Sequence, residues 1–253
     1  MLFRSGESLA AGALPHLDGW GAADRGEWGA AVAFYERSLV LRCRDRAPVR
    51  WVGTAANLAG CWLGRTDGDS NANLARAIAL YEQALEAHTR AAAPVDRATT
   101  IHNLAVCWSE RTDGDRNANL ARAIALYEHA LEVRTVGGSQ LQWVGTAQNL
   151  AWCWSERTDG YRNAHFTRAI ALYDLLLEVQ PRTSAPLDWA SSQWNRAWAL
   201  PARTSGDRRA DLTAAIAGYR AALEVYTATE HPTDHATLTK NPANAESALK
   251  KLR

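Results

Sequence analysis

Four cysteines, seven histidines and a ladder of arginines are the side chains of this sequence that could do covalent, metal or phosphate chemistry. Cys43, Cys61, Cys107 and Cys153 contain no pair at the C-x-x-C spacing of a zinc or redox site. Three of them, Cys61, Cys107 and Cys153, stand 46 residues apart. Equivalent atoms on neighbouring packed helices lie about 10 Å from one another, beyond disulfide reach. Reduced, small core residues are therefore expected. No histidine forms a recognisable dyad with a cysteine, and no Gly-rich phosphate loop, H-E-x-x-H or G-x-S-x-G is spelled. Arg65, Arg111, Arg157 and Arg203 also step by 46. Each is followed closely by Asp or Ser and stands near a helix C-terminus, where a cation is favoured, so structural pairing is expected rather than phosphate binding. The chain reads as non-catalytic, with no metal and no cofactor.

The remaining chemistry is non-covalent. Asn57, Asn103, Asn149 and Asn195 step by 46. An amide both donates and accepts, so one Asn per repeat could grip an extended peptide backbone, or tie its helix to the next loop. Of the 11 tryptophans, Trp62, Trp108 and Trp154 fall on an apolar stripe and are expected in the core. Trp152, Trp194 and Trp198 replace the small residues Gly60 and Ala56 of an earlier repeat. Trp194 and Trp198 are one helical turn apart. Three readings stand for this aromatic end: a ligand surface, packing inside a superhelix, or self-association.

Helices must position these groups. Leu74, Ala77, Ile78, Tyr81 and Leu85 form one stripe at helical spacing, with Asp69 or Asn71 available as its N-cap. Trp51, Ala55, Leu58 and Trp62 form the stripe of a preceding helix, and Gly68 follows its end. Pro48, Pro94, Pro186 and Pro232 stand in register just ahead of a first helix, where a missing N–H costs little. Nothing alternates with period two. A helix pair this short cannot bury its stripe alone, whereas stacked pairs merge their stripes into one core. The register divides the chain into one array: a capping repeat at 1–46, long repeats at 47–92, 93–138, 139–184 and 185–231, and a degenerate cap at 232–253. The N-terminal cap needs a partner helix near 15–24. Pro242 is expected to interrupt the last repeat, leaving a capping helix over 243–252.

Asn57-Leu58-Ala59 with Trp62, then Gly68-Asp69, then Ala77, Ile78, Tyr81, Ala84 and Leu85, resembles the tetratricopeptide repeat (TPR). The period of 46 exceeds the standard length of about 34. The long form is similar to the arrays attached to bacterial caspase-like CHAT proteases, and loosely to the kinesin light chain type. The resemblance implies an all-α, right-handed superhelical α-solenoid whose first helices line a concave groove for a peptide or partner protein. Carried over by register, the groove positions include Gly53, Ala56 and Gly60, then Thr99, His102 and Val106, then Gly145, Gln148 and Trp152, then Ser191, Trp194 and Trp198. A clamp for a peptide's terminal carboxylate needs Lys or Arg along this groove. Gly53, Thr99, Gly145 and Ser191 offer none, so such a clamp is not expected.

The expected function is a non-catalytic interaction scaffold, with Asn57, Asn103, Asn149, Asn195, His102, Gln148, Trp152, Trp194 and Trp198 as its binding residues. Two alternatives stand beside it: the regulatory array of a larger effector such as a CHAT-type protease, and a structural solenoid that forms homo-oligomers through its ends. A net charge of +1 gives no general pull toward nucleic acid or an anionic membrane. No stretch approaches the roughly 18 apolar residues of a spanning helix, and no signal peptide is evident. Arginine in great excess over lysine suggests a GC-rich bacterial gene. A cytoplasmic protein is expected.

Overall fold

A computed structural model describes Ala23 and residues 26–41, 48–87 and 94–252 of the chain. Cys43 and the expected cap helix near 15–24 lie outside the described residues. Among the described residues all regular structure is helical, and the chain forms two compact units, Met1–His88 and Thr89–Arg253. No helix among them is long and apolar enough to cross a membrane.

The first unit holds α1 (Trp28–Leu41), α2 (Pro48–Gly64) and α3 (Ser70–Ala87). Helices α2 and α3 form a hairpin and α1 packs on α2. Trp51, Val52, Ala55 and Ala84 bury one another, with Leu39 and Ala87 at their edge. Gly64, the last residue of α2, lies under Trp28: a Cβ there would stand 2.7 Å from the indole ring.

The second unit repeats the hairpin. Helices α4 (Pro94–Glu110), α6 (Gln140–Glu156) and α8 (Pro186–Ala202) are first helices, each of 17 residues. Their partners are α5 (Arg116–Leu131), α7 (Arg162–Val179) and α9 (Arg208–Leu223). Each helix packs on the next in sequence, and α4, α6 and α8 also touch in succession. Fully buried alanines, among them Ala105, Ala123, Ala147 and Ala169, let the backbones approach. Fully buried Tyr127 and Tyr173 fill the space between the helices of their hairpins. Cys107 and Cys153 are core residues here, as is Cys61 in the first unit. Burial pushes the Cys61 thiol up to about 11 and Cys153 up to about 12, which removes nucleophilic character.

The array ends differently from the sequence expectation. Helix α10 (Pro232–Leu238) passes through Thr239 into α11 (Lys240–Lys250), so the last helix begins before Pro242 rather than after it. Pro242 lies in the first turn, where no intrahelical bond to its nitrogen is needed. Ala245, Ala248 and Leu249 of α11 then cover Leu212 and Ile216 of α9.

The turn within each hairpin has one plan. Gly68, Gly114 and Gly206 take φ values of 81°, 71° and 105°, open to glycine at little cost. The following Asp caps the second helix: Asp69 accepts from the backbone N–H of Asn71 and Ala72, and Asp115 and Asp207 act alike. The third hairpin departs from it, because Tyr161 stands in the cap position and makes no cap bond. Tyr161→Asp is therefore expected to stabilise the second unit by about 1 kcal/mol. A urea midpoint that does not rise would contradict this account of the turn.

Candidate functional site

Two ladders settle into structural roles. Arg65, Arg111 and Arg157 pair with Asp67, Asp113 and Asp159, two residues on. In the fourth repeat Ser205 takes the place of that Asp, and the carboxylate moves to Asp211, which Arg203 reaches at 2.7 Å. The arginines also lie over tryptophans. Trp108 carries Arg111 at 5.2 Å and Arg122 at 4.4 Å; Trp154 carries Arg157 at 5.7 Å and Arg168 at 4.4 Å. In the first unit Trp62 holds Arg65 and Arg76 alike. Each contact contributes about 0.5–1 kcal/mol where exposed. These cations are committed to the fold.

A different asparagine ladder joins the repeats. Asn117 Oδ1 accepts from the Thr158 backbone N–H at 3.0 Å, and Asn163 Oδ1 accepts from Thr204 N–H at 2.8 Å. Sequence reasoning missed these latches. Their signal was present: Asn117 and Asn163, like Thr158 and Thr204, step by 46.

The predicted ladder behaves otherwise. Asn57 in the first unit, and Asn103, Asn149 and Asn195 in the second, are half-buried. Each second-unit Asn stands on a first helix, α4, α6 or α8. Every backbone N–H and C=O of a helix interior is already used, and each side chain is left to find its own partner. Among the described residues the four amides accept and donate no protein hydrogen bond. Asn73, Asn117 and Asn163, by contrast, all do. None of the four has a sealed oxygen or nitrogen, so their amides meet solvent.

Gln148, beside Asn149, is half-buried and also makes no protein hydrogen bond among the described residues. His102, beside Asn103, is engaged. Its ring meets Tyr127 edge-on at 5.4 Å, and Nδ1 lies 3.1 Å from Thr146 Oγ1. The Thr146 hydroxyl donates to the Gln142 carbonyl at 2.8 Å, so His102 supplies the proton from Nδ1. Burial, then the charge of Arg134, pulls the His102 imidazole down to about 3. It stays neutral.

The three tryptophans have separate neighbours. Trp152 on α6 is 38% exposed, with the Arg116 guanidinium 5.6 Å over its ring. Trp198 on α8 is 44% exposed and meets Phe166 edge-on at 5.9 Å. Trp194 is half-buried against Tyr226 at 6.1 Å. Trp152 and Trp198 thus keep part of their surface open to solvent, whereas Trp194 contributes to packing at the end of the unit.

A crystal structure from Podosopora anserina, of nearly identical TPR-like repeats of a protein named for kinesin light chain, superposes with a TM-score of 0.63. It shares 16% identity and covers 85% of this chain and 95% of its own. A point variant of that protein gives 0.60, at 16% identity over 83% and 93%. The fold is that of a TPR-like helical solenoid. No family model and no curated protein matches the chain in sequence.

His102 gives the second unit a dependence on pH. Unfolded, it takes a proton near pH 6.5; folded, only near 3. Between these values the unfolded chain holds the extra proton. Stability is therefore expected to fall as pH drops through that window, by at most about 1.4 kcal/mol per pH unit. His102→Asn should flatten this part of the curve. Denaturation midpoints across the window check it, and an identical slope in the variant would refute the assignment.

Proposed function

We propose that the second unit is a non-catalytic protein-interaction scaffold that holds an extended peptide segment of a partner along α4, α6 and α8. The observation that carries this reading is the set of solvent-open amides on Asn103, Asn149 and Asn195, none of which has work to do inside the fold. Packed helices stand about 10 Å apart, and an extended chain advances about 3.3 Å per residue. One amide therefore meets about every third peptide unit, and can both donate to it and accept from it. Gln148 extends the polar row, His102 shapes its wall, and Trp152, Trp194 and Trp198 give the far end an aromatic character. Asn57 offers the same amide in the first unit. The TPR-like fold of the structural relatives supports interaction as the general role.

Selection of a randomised nonapeptide library on the whole protein supplies a probe. Asn103→Ala/Asn149→Ala/Asn195→Ala should keep the helicity of the wild type, since no internal bond is lost. It should weaken the selected peptide by about tenfold or more. Peptides that bind the variant as tightly as the wild type would exclude the amide row as the site.

A further inference from the structure

The loop between α5 and α6 carries Arg134, which is 6% exposed and bonded only to neutral groups. Nη1 donates to Thr146 Oγ1 at 2.8 Å and Nη2 to Thr99 Oγ1 at 3.0 Å. Nε is sealed from water without a partner. Thr99 and Thr146 stand within two turns of the starts of α4 and α6. His102, bonded to the same Thr146 hydroxyl, is neutral and adds no compensation. Burial alone pulls the Arg134 guanidinium down to about 10. A buried, uncompensated cation is costly to a fold.

The register shows what is missing. Position 134 corresponds to Gln180 and Tyr226, one and two repeats on, and position 142 to Asp188 and Asp234. In the next repeat Gln180 Nε2 donates to Asp188 Oδ2 at 3.1 Å. In the one after, the charge of Asp234 acts on Tyr226. Two neutral residues thus have a carboxylate beside them. The cationic Arg134 faces the register of Gln142, whose side-chain oxygen is itself buried without a partner.

We infer that Arg134 is an anchor for the side-chain carboxylate of an acidic residue in the peptide held by the groove of the second unit. Thr99 and Thr146 hold the guanidinium in place, and the ligand supplies the negative charge that Gln142 withholds. Charge-assisted pairing with an arginine is among the stronger hydrogen bonds available to a peptide ligand. The inference rests on the groove reading and adds its chemical selectivity.

The nonapeptides selected above provide the test, displayed once with capped ends and once with a free C-terminus. Selected peptides should fix Asp or Glu at one position in both formats. Arg134→Gln and Gln142→Asp should each weaken such a peptide by about tenfold or more. The first removes the cation, and the second supplies an internal carboxylate to it. The matching peptide with Glu replaced by Gln should lose as much on the wild type and nothing further on Arg134→Gln. Both protein variants should melt no lower than the wild type, because each relieves an unpaired charge. Acid-free selections, dependence on a free C-terminus alone, or affinities that both variants leave unchanged would overturn the anchor while the effect of the triple Asn variant keeps the groove. A marked fall in the melting temperature of both variants would make Arg134 a structural residue and overturn the anchor too. Peptides indifferent to the Asn substitutions, or a library that enriches nothing, would remove the groove reading and the anchor with it.

Discussion

Replacing Trp152 and Trp198 together by alanine should leave the fold intact and remove most of the peptide affinity. Both indoles present more than a third of their surface to solvent, so no core cavity opens when they are truncated. The fold loses one exposed stack, Arg116 over Trp152, and one edge contact, Trp198 with Phe166. The first contributes about 0.5–1 kcal/mol. An indole that anchors a ligand contributes about 2 kcal/mol or more to its binding, so the pair should cost binding about a thousandfold. Trp194 is a poor choice for the same test. It packs on Tyr226, which in turn meets His231, and its loss would loosen the end of the unit. Circular dichroism and fluorescence anisotropy, measured on the same preparation, decide the matter. A folded double variant that binds as the wild type does would take the aromatic residues out of the site.

Tyr127→Ala should have the largest effect on stability, about 3–5 kcal/mol. Tyr127 is 1% exposed on α5 and lies against the His102 ring of α4. Its hydroxyl is near the Ser109 side chain, at the far end of α4. Truncation removes the ring that fills the hairpin and leaves His102 without its neighbour. Because repeats gain stability through adjacent interfaces, the loss passes to α6 by way of the His102–Thr146 bond. Tyr127→Phe keeps the ring and should cost only about 1 kcal/mol. Urea denaturation of the three proteins checks the order; an alanine variant within about 1 kcal/mol of the wild type would contradict the packing described.

The architecture was legible because the same physical demand recurs every 46 residues. Tyr81, Tyr127 and Tyr173 are spelled alike since each fills the same hairpin. Gly68, Gly114 and Gly206 are spelled alike since each turn needs a positive φ. The choice between Asp69 and Asn71 as cap needed the structure. Both can accept from a helix N-terminus, and only geometry shows that Asp69 does so. Arg134 was not legible as a site residue. It lies in an irregular loop rather than on a first helix, and the first-helix positions Gly53, Thr99, Gly145 and Ser191 carry no cation. The structure brings the guanidinium to Thr99 from that loop. The exchange of Gln142 for Asp188 and Asp234 in the same register was its sequence signal, and it has meaning only once the contact is known.

The central claim is that the amide row on α4, α6 and α8 receives a peptide backbone. The most direct measurement is the nuclear magnetic resonance of the side-chain amides of Asn103, Asn149 and Asn195 during titration with a selected nonapeptide. The account predicts that all three shift together and saturate at one dissociation constant, while the latch amides of Asn117 and Asn163 stay in place. A peptide that binds while the three amides remain unmoved would contradict it.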